Sequence, residues 1–150
     1  MEEAEGELSS RSWMKILPIP WAGNEMNQTG LILFAHGSRV PEANDSVVAV
    51  TEALRHRGDF PLSATAFLEL GSPDLAGAVA DLVSRGAVRI IVIPYFLTLG
   101  IHLRRDLPRI VNELSNIHHG VRIEVTEPLD GHPALLEVVL DRATAALKTS

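Results

Sequence analysis

A single α/β domain built on a parallel sheet is what the sequence predicts, on three observations. Short apolar runs bounded by turn residues recur four times, an amphipathic stretch follows each of them, and the connections between the two are short. Such βα repeats imply right-handed crossovers and helices on both faces of the sheet, with the four strands in the order 2-1-3-4.

The first strand is Leu31 to Ala35, a continuous apolar run that ends abruptly in His36-Gly37-Ser38-Arg39. A run of this kind reads as a buried central strand whose C-terminal end opens into a polar loop. The other strands are Leu62 to Leu70, Arg89 to Phe96 and Val121 to Thr126. Helices begin near Pro41, Pro73 and Leu103, and a last one runs from about Pro133 to Lys148. Ser72-Pro73 reads as an N-cap followed by proline at the first helical position. Gly58, Gly86 and Gly120 stand where left-handed C-terminal residues are wanted. Leu75, Val79 and Leu82 share one helical face, as do Leu107, Ile110, Val111 and Leu114, so both helices have a stripe to lay on the sheet. Pro108 leaves two readings: the third helix starts near Asp106 with the proline in its first turn, or it starts earlier and kinks. There is no internal repeat and no low-complexity tract.

The chain has 150 residues, 46% hydrophobic and 21% charged, which suits one domain with an ordinary core. It has no cysteine, so disulfides, iron-sulfur clusters and thiolate zinc sites are excluded and any metal must be held by His, Asp or Glu. A net charge of −6 offers no basic excess for general nucleic-acid binding. No apolar run approaches the roughly 20 residues of a transmembrane helix, and the acidic N-terminus lacks the layout of a signal peptide. A soluble, cytoplasmic protein is therefore expected. Residues 1–28 read as an N-terminal extension to a domain spanning 29–150. Glu2, Glu3, Glu5 and Glu7 crowd its start, Pro18 and Pro20 interrupt its apolar patch, and it holds both tryptophans, Trp13 and Trp21. It is read either as disordered or as the product of a start placed ahead of a true one at Met26.

In the order 2-1-3-4, strands 2, 1 and 3 are neighbours and send their C-terminal ends to one edge, where ligands bind in open α/β sheets. The first ends in His36, the second around Glu69, and the third runs through Pro94-Tyr95-Phe96-Leu97 into Thr98-Leu99-Gly100-Ile101-His102. Neighbouring strands are about 4.8 Å apart, so these side chains can share a pocket. Two imidazoles and a carboxylate suit a borderline divalent ion such as cobalt, iron, nickel or zinc, and equally suit proton transfer. Taken singly, a histidine after a buried strand often only caps the next helix. Glu69 is harder to dismiss, because a carboxylate buried at a strand end needs a partner or a metal. Arg39, Arg104 and Arg105 surround the same edge and suggest an anionic ligand, with Ser38 and Gly37 as weaker loop donors. His56, His118 and His119 suit solvated helix C-termini, His132 the start of the last helix, and Tyr95 and Phe96 the core or a pocket wall.

Phe34-Ala35-His36-Gly37-Ser38-Arg39, Ala66-Phe67-Leu68-Glu69 and Pro94 to His102 resemble the short sirohydrochlorin chelatases, the CbiX and SirB proteins of cobalamin and siroheme synthesis. The similarity spans about Thr29 to Leu147, and the spacing of 33 residues from His36 to Glu69 and again to His102 is similar to the family's. The resemblance implies a chelatase-type, flavodoxin-like domain that inserts a divalent metal, Co²⁺, Fe²⁺ or Ni²⁺, into sirohydrochlorin without nucleotide. It implies His36, His102 and Glu69 as metal ligands and proton acceptors, without separating base from ligand. Arg39, Ser38, Arg104 and Arg105 are implied as contacts to the anionic tetrapyrrole. The metal is substrate, with no permanently bound cofactor, and the short form implies a homodimer. Two other classes remain: a carrier of metal or tetrapyrrole without turnover, and a flavodoxin-like regulatory domain in which His36 is structural.

Overall fold

A computed structural model describes residues 27–57 and 60–149. The extension apart from Asn27 and Gln28, the Met26 start and Gly58 lie outside the described residues. Four strands and four helices alternate: β1 (Thr29–Ala35), α1 (Pro41–His56), β2 (Leu62–Phe67), α2 (Leu75–Ser84), β3 (Arg89–Pro94), α3 (Ile101–Ile117), β4 (Arg122–Val125) and α4 (Pro133–Lys148). The sheet is parallel in the predicted order β2-β1-β3-β4. Leu33 of β1 stands opposite Thr65 of β2 on one side and Ile93 of β3 on the other.

Successive side chains on a strand point to opposite faces, and here the faces have different covers. Ile32, Phe34, Ala66, Ile90, Val92 and Ile123 form a core with Leu75, Ala78, Val79 and Leu82 of α2 and Leu107, Val111 and Leu114 of α3. The predicted stripes are thus the ones buried. The other face packs Leu33, Ala35 and Phe67 against Val47 of α1. Thr51 of α1 and Thr65 of β2 are buried there and share a 2.7 Å hydrogen bond, so their hydroxyls satisfy each other.

The element ends differ from the sequence reading in instructive ways. α2 starts at Leu75, not Pro73, because Asp74 is the N-cap: its carboxylate accepts from the Gly77 amide at 2.8 Å. Ser72 and Pro73 lie before it, joined by a cis peptide bond. α3 starts at Ile101, so Pro108 lies inside the helix, on an exposed position, which decides for the earlier start. β2 stops at Phe67 and not Leu70, because Leu70 adopts a left-handed φ of 55° that turns the chain off the sheet. Gly86 and Gly120 have the expected positive φ after α2 and α3. His132 caps α4 by accepting from the Ala134 amide at 3.1 Å, as expected. No helix among the described residues is long and apolar enough to cross a membrane.

Candidate functional site

The site begins where β1 and β2 stop being regular strands. Their pairing continues one step past the sheet: the Leu68 amide donates to Ala35 O at 2.8 Å and the Glu69 amide to His36 O at 3.0 Å. This extension sets the two side chains next to each other, with His36 Nε2 3.6 Å from Glu69 Oε1. Both side chains are open to solvent, at 57% and 58% exposure. The expectation of a buried Glu69 carboxylate is therefore overturned. The turn at Leu70 lifts Glu69 away from the core, and the burial cost that singled it out does not arise. It has a partner nonetheless, and the partner is His36. The imidazole also stands edge-on to Phe96, ring centroids 6.3 Å apart, and Phe96 in turn packs on Phe34. Phe96 is thus a wall of the site, while Tyr95 packs against the cluster under α1.

Two features hold this pair in place. Gly37 has φ +91°, and a Cβ on it would run into the carbonyl oxygen of Glu69. Only glycine lets the β1–α1 loop lie this close to the β2–α2 loop. Asn44, in the first turn of α1, then ties the loops together. Its Oδ1 accepts from the Ser38 amide at 2.9 Å, and its Nδ2 donates to Ser38 O and to Leu70 O, both at 3.0 Å. Nothing in the residue reading singled out Asn44. The available signal was an amide side chain four residues into the stretch after Ser38-Arg39-Val40, where an N-terminal turn sits over the preceding loop. The Ser38 hydroxyl, read as a loop donor, accepts from the Val40 amide at 3.0 Å and shapes its own turn.

His102 is the second residue of α3, exposed in its first turn. The topology brings it to the same edge but not into the pair. Among the described residues no three His, Asp or Glu side chains stand close enough to hold an ion between them. Arg39, Arg104 and Arg105 are exposed around this edge, and none of them is ion-paired among the described residues. Arg104 lines a cavity of about 340 Å³ with Leu99, Leu107, Pro108 and the β4–α4 residues Val125 to Pro128. The edge therefore presents a fixed His–carboxylate pair, a third donor on the next helix, an aromatic wall and unpaired guanidinium groups, all accessible. That combination can accept protons, donate to a cation and face a large anionic ligand.

Three known proteins are similar to this chain over most of the described part. The sirohydrochlorin cobaltochelatase of Methanocaldococcus jannaschii is 31% identical over 137 residues, covering 75% of this chain and 96% of the relative. The chloroplastic sirohydrochlorin ferrochelatase of Arabidopsis thaliana is 33% identical over 113 residues, 75% of this chain but 50% of the relative. A crystal structure of a CbiX protein ascribed to cobalamin (vitamin B12) biosynthesis, from Marinobacter aquaeolei VT8, superposes with a TM-score of 0.71 at 30% identity, over 81% of this chain and 99% of that one. The family model CbiX matches residues 30–146, from the first core strand to near the end of α4, with the whole His36–Glu69 edge inside the match. On that extent of agreement the chain belongs to the CbiX family.

Proposed function

We propose that this protein inserts a divalent metal, Co²⁺ or Fe²⁺, into sirohydrochlorin, in cobalamin or siroheme biosynthesis. The observation that carries the reading is the His36–Glu69 pair, 3.6 Å apart and solvent-open at the C-terminal edge of the sheet, in a chain of the CbiX family. Its relatives are named for cobalt and for iron, and the donor set suits both metals, with Ni²⁺ chemically close.

Insertion exchanges one M²⁺ for two pyrrole N–H protons, so the site must receive protons while the metal sheds its own ligands. Imidazoles titrate near neutral pH and serve either task. His36 and His102 are assigned as metal ligands and proton acceptors, and Glu69 as a third ligand or as the charge that orients His36. Arg39, Arg104 and Arg105, with Ser38, are assigned to the carboxylates of the macrocycle. Residues 29–150 are the chelatase domain and 1–28 an appendage to it. The metal is substrate and no cofactor is permanently bound. The enzyme works in the cytoplasm as a homodimer, and its coverage of half of the plant relative agrees with one lobe doing part of a larger protein's work.

The test is the absorption spectrum of sirohydrochlorin followed anaerobically with Co²⁺ and Fe²⁺ side by side. The protein should speed metallation beyond the rate with free metal for at least one ion. A spectrum that changes on binding without acceleration would instead mark a carrier.

A further inference from the structure

The helix α4 is out of keeping with the rest of the fold. None of its residues is buried. Yet Leu136, Val139, Leu140, Ala143 and Leu147 recur at helical spacing along one side, and the four large ones are 62%, 63%, 52% and 78% exposed. Glu137, Asp141, Thr144 and Lys148 fall on the opposite side, so the stripe has the pattern of a helix meant to be covered. Contiguous apolar patches of this kind mark interaction surfaces.

The sheet has a matching defect. On the face that carries α1, Leu31, Leu33 and Ala35 of β1 and Ser63, Thr65 and Phe67 of β2 are buried. On the same face Ile91, Ile93 and Tyr95 of β3 and its extension are only partly covered, and so is Glu124 of β4. Parallel sheets are ordinarily covered on both faces. The half beyond α1 is the place where a fourth helix belongs, and α4 of the same chain does not occupy it.

We infer that two copies of this chain exchange α4, each laying its Leu136–Leu147 stripe on the partner's open β3–β4 half. A two-fold exchange covers both helices and both sheets at once and leaves no unmatched surface. The arm that allows it is Thr126 to His132, which contains Pro128 and a left-handed Gly131 of φ 78°. The area suffices: α4 is about 24 Å long, and two docked faces about 10 Å wide, counted on both partners, bury on the order of 1,000 Å², the size a specific interface requires. Exchange of an identical element is also a low-cost route to a dimer. The inference does not depend on the chelatase reading, because assembly is measured with neither metal nor tetrapyrrole present.

Sedimentation of the full chain at micromolar concentration is expected to show two copies. The double variant Leu136→Glu, Leu140→Glu is expected to shift it to one copy while the helical circular-dichroism signal persists. The chain has no cysteine, so Ala143→Cys and Ile91→Cys can be carried on separate co-expressed chains and treated with a short bis-maleimide. A 143–91 product joining two chains is expected. A wild-type monomer overturns the inference, as does a dimer that yields only 143–143 products. It is equally overturned if the chain carrying both cysteines links within itself, which would show α4 closed on its own sheet. Trp13 and Trp21 are the only tryptophans. A monomer whose tryptophan emission shifts in the double variant would name residues 1–26 as the occupant and overturn the exchange as well.

Discussion

At the C-terminal edge of the sheet the two halves end differently. The loops after β1 and β2 are tied to each other by backbone bonds at Ala35 and His36, by the close approach at Gly37, and by the Asn44 amide bridging Ser38 and Leu70. The loop after β3 has one such tie, the Tyr95 amide donating to Phe34 O, and residues 96–100 make no side-chain hydrogen bond among the described residues. The His36–Glu69 pair lies on the tied half, while His102, Arg104 and Arg105 follow the untied one. A pair that must hold a geometry for proton or metal transfer gains from the first, since placement errors of an ångström are costly in rate. A surface that must admit a broad, flat ligand gains from the second.

The contrast can be broken most sharply at Gly37. Gly37→Ala should destabilise by about 3 kcal/mol, since it combines a left-handed φ with a clash against Glu69. Thermal unfolding should show a loss on the order of 10 °C. Next comes Asn44→Ala, which removes three hydrogen bonds to loop backbone and should cost about 2 kcal/mol, measured by urea denaturation. Asn44→Asp keeps the acceptor for the Ser38 amide and loses the donors, so its cost should fall between wild type and alanine.

A smaller effect belongs to Glu124. The Arg89 hydrogen bond, with Arg89 and Arg122 charge nearby, holds its carboxyl below the usual glutamate value. A folded-state pKa that is depressed contributes stability above the unfolded pKa, about 4.5, and loses it as pH falls through the folded value. Glu124→Gln should therefore be less stable than wild type at pH 7 by under about 1 kcal/mol, given its partial exposure. The difference should shrink as both are acidified below pH 4.5. Least of all, Leu97→Ala, 70% exposed on the untied loop, should leave unfolding unchanged within about 0.5 kcal/mol. A Leu97 effect as large as that of Asn44 would erase the contrast between the halves.

The topology was legible because hydrophobic runs, amphipathic stripes and short links admit few alternatives. The order β2-β1-β3-β4 and the buried stripes of α2 and α3 follow from them. Local ends were less legible, because competing caps a residue or two apart look alike until geometry chooses: Asp74 reaches an amide and Ser72 does not cap the helix. At the site, residue types and spacing led to His36 and Glu69, but the reason given for Glu69 was burial, and the structure supplies a solvent-open pairing in its place. Asn44 went unread because its role is to bridge two loops that meet only in three dimensions. The bare side of α4 was hidden for a similar cause: a stripe in the sequence says that a helix wants cover, and not which surface provides it.

The central claim, that the His36 edge performs metal insertion, is tested most directly by the initial rate of sirohydrochlorin metallation in the wild type and in His36→Ala and His102→Ala. The account predicts acceleration over free metal in the wild type and a loss of about 100-fold or more in each variant, with circular dichroism unchanged. Wild-type rates in both variants would contradict it.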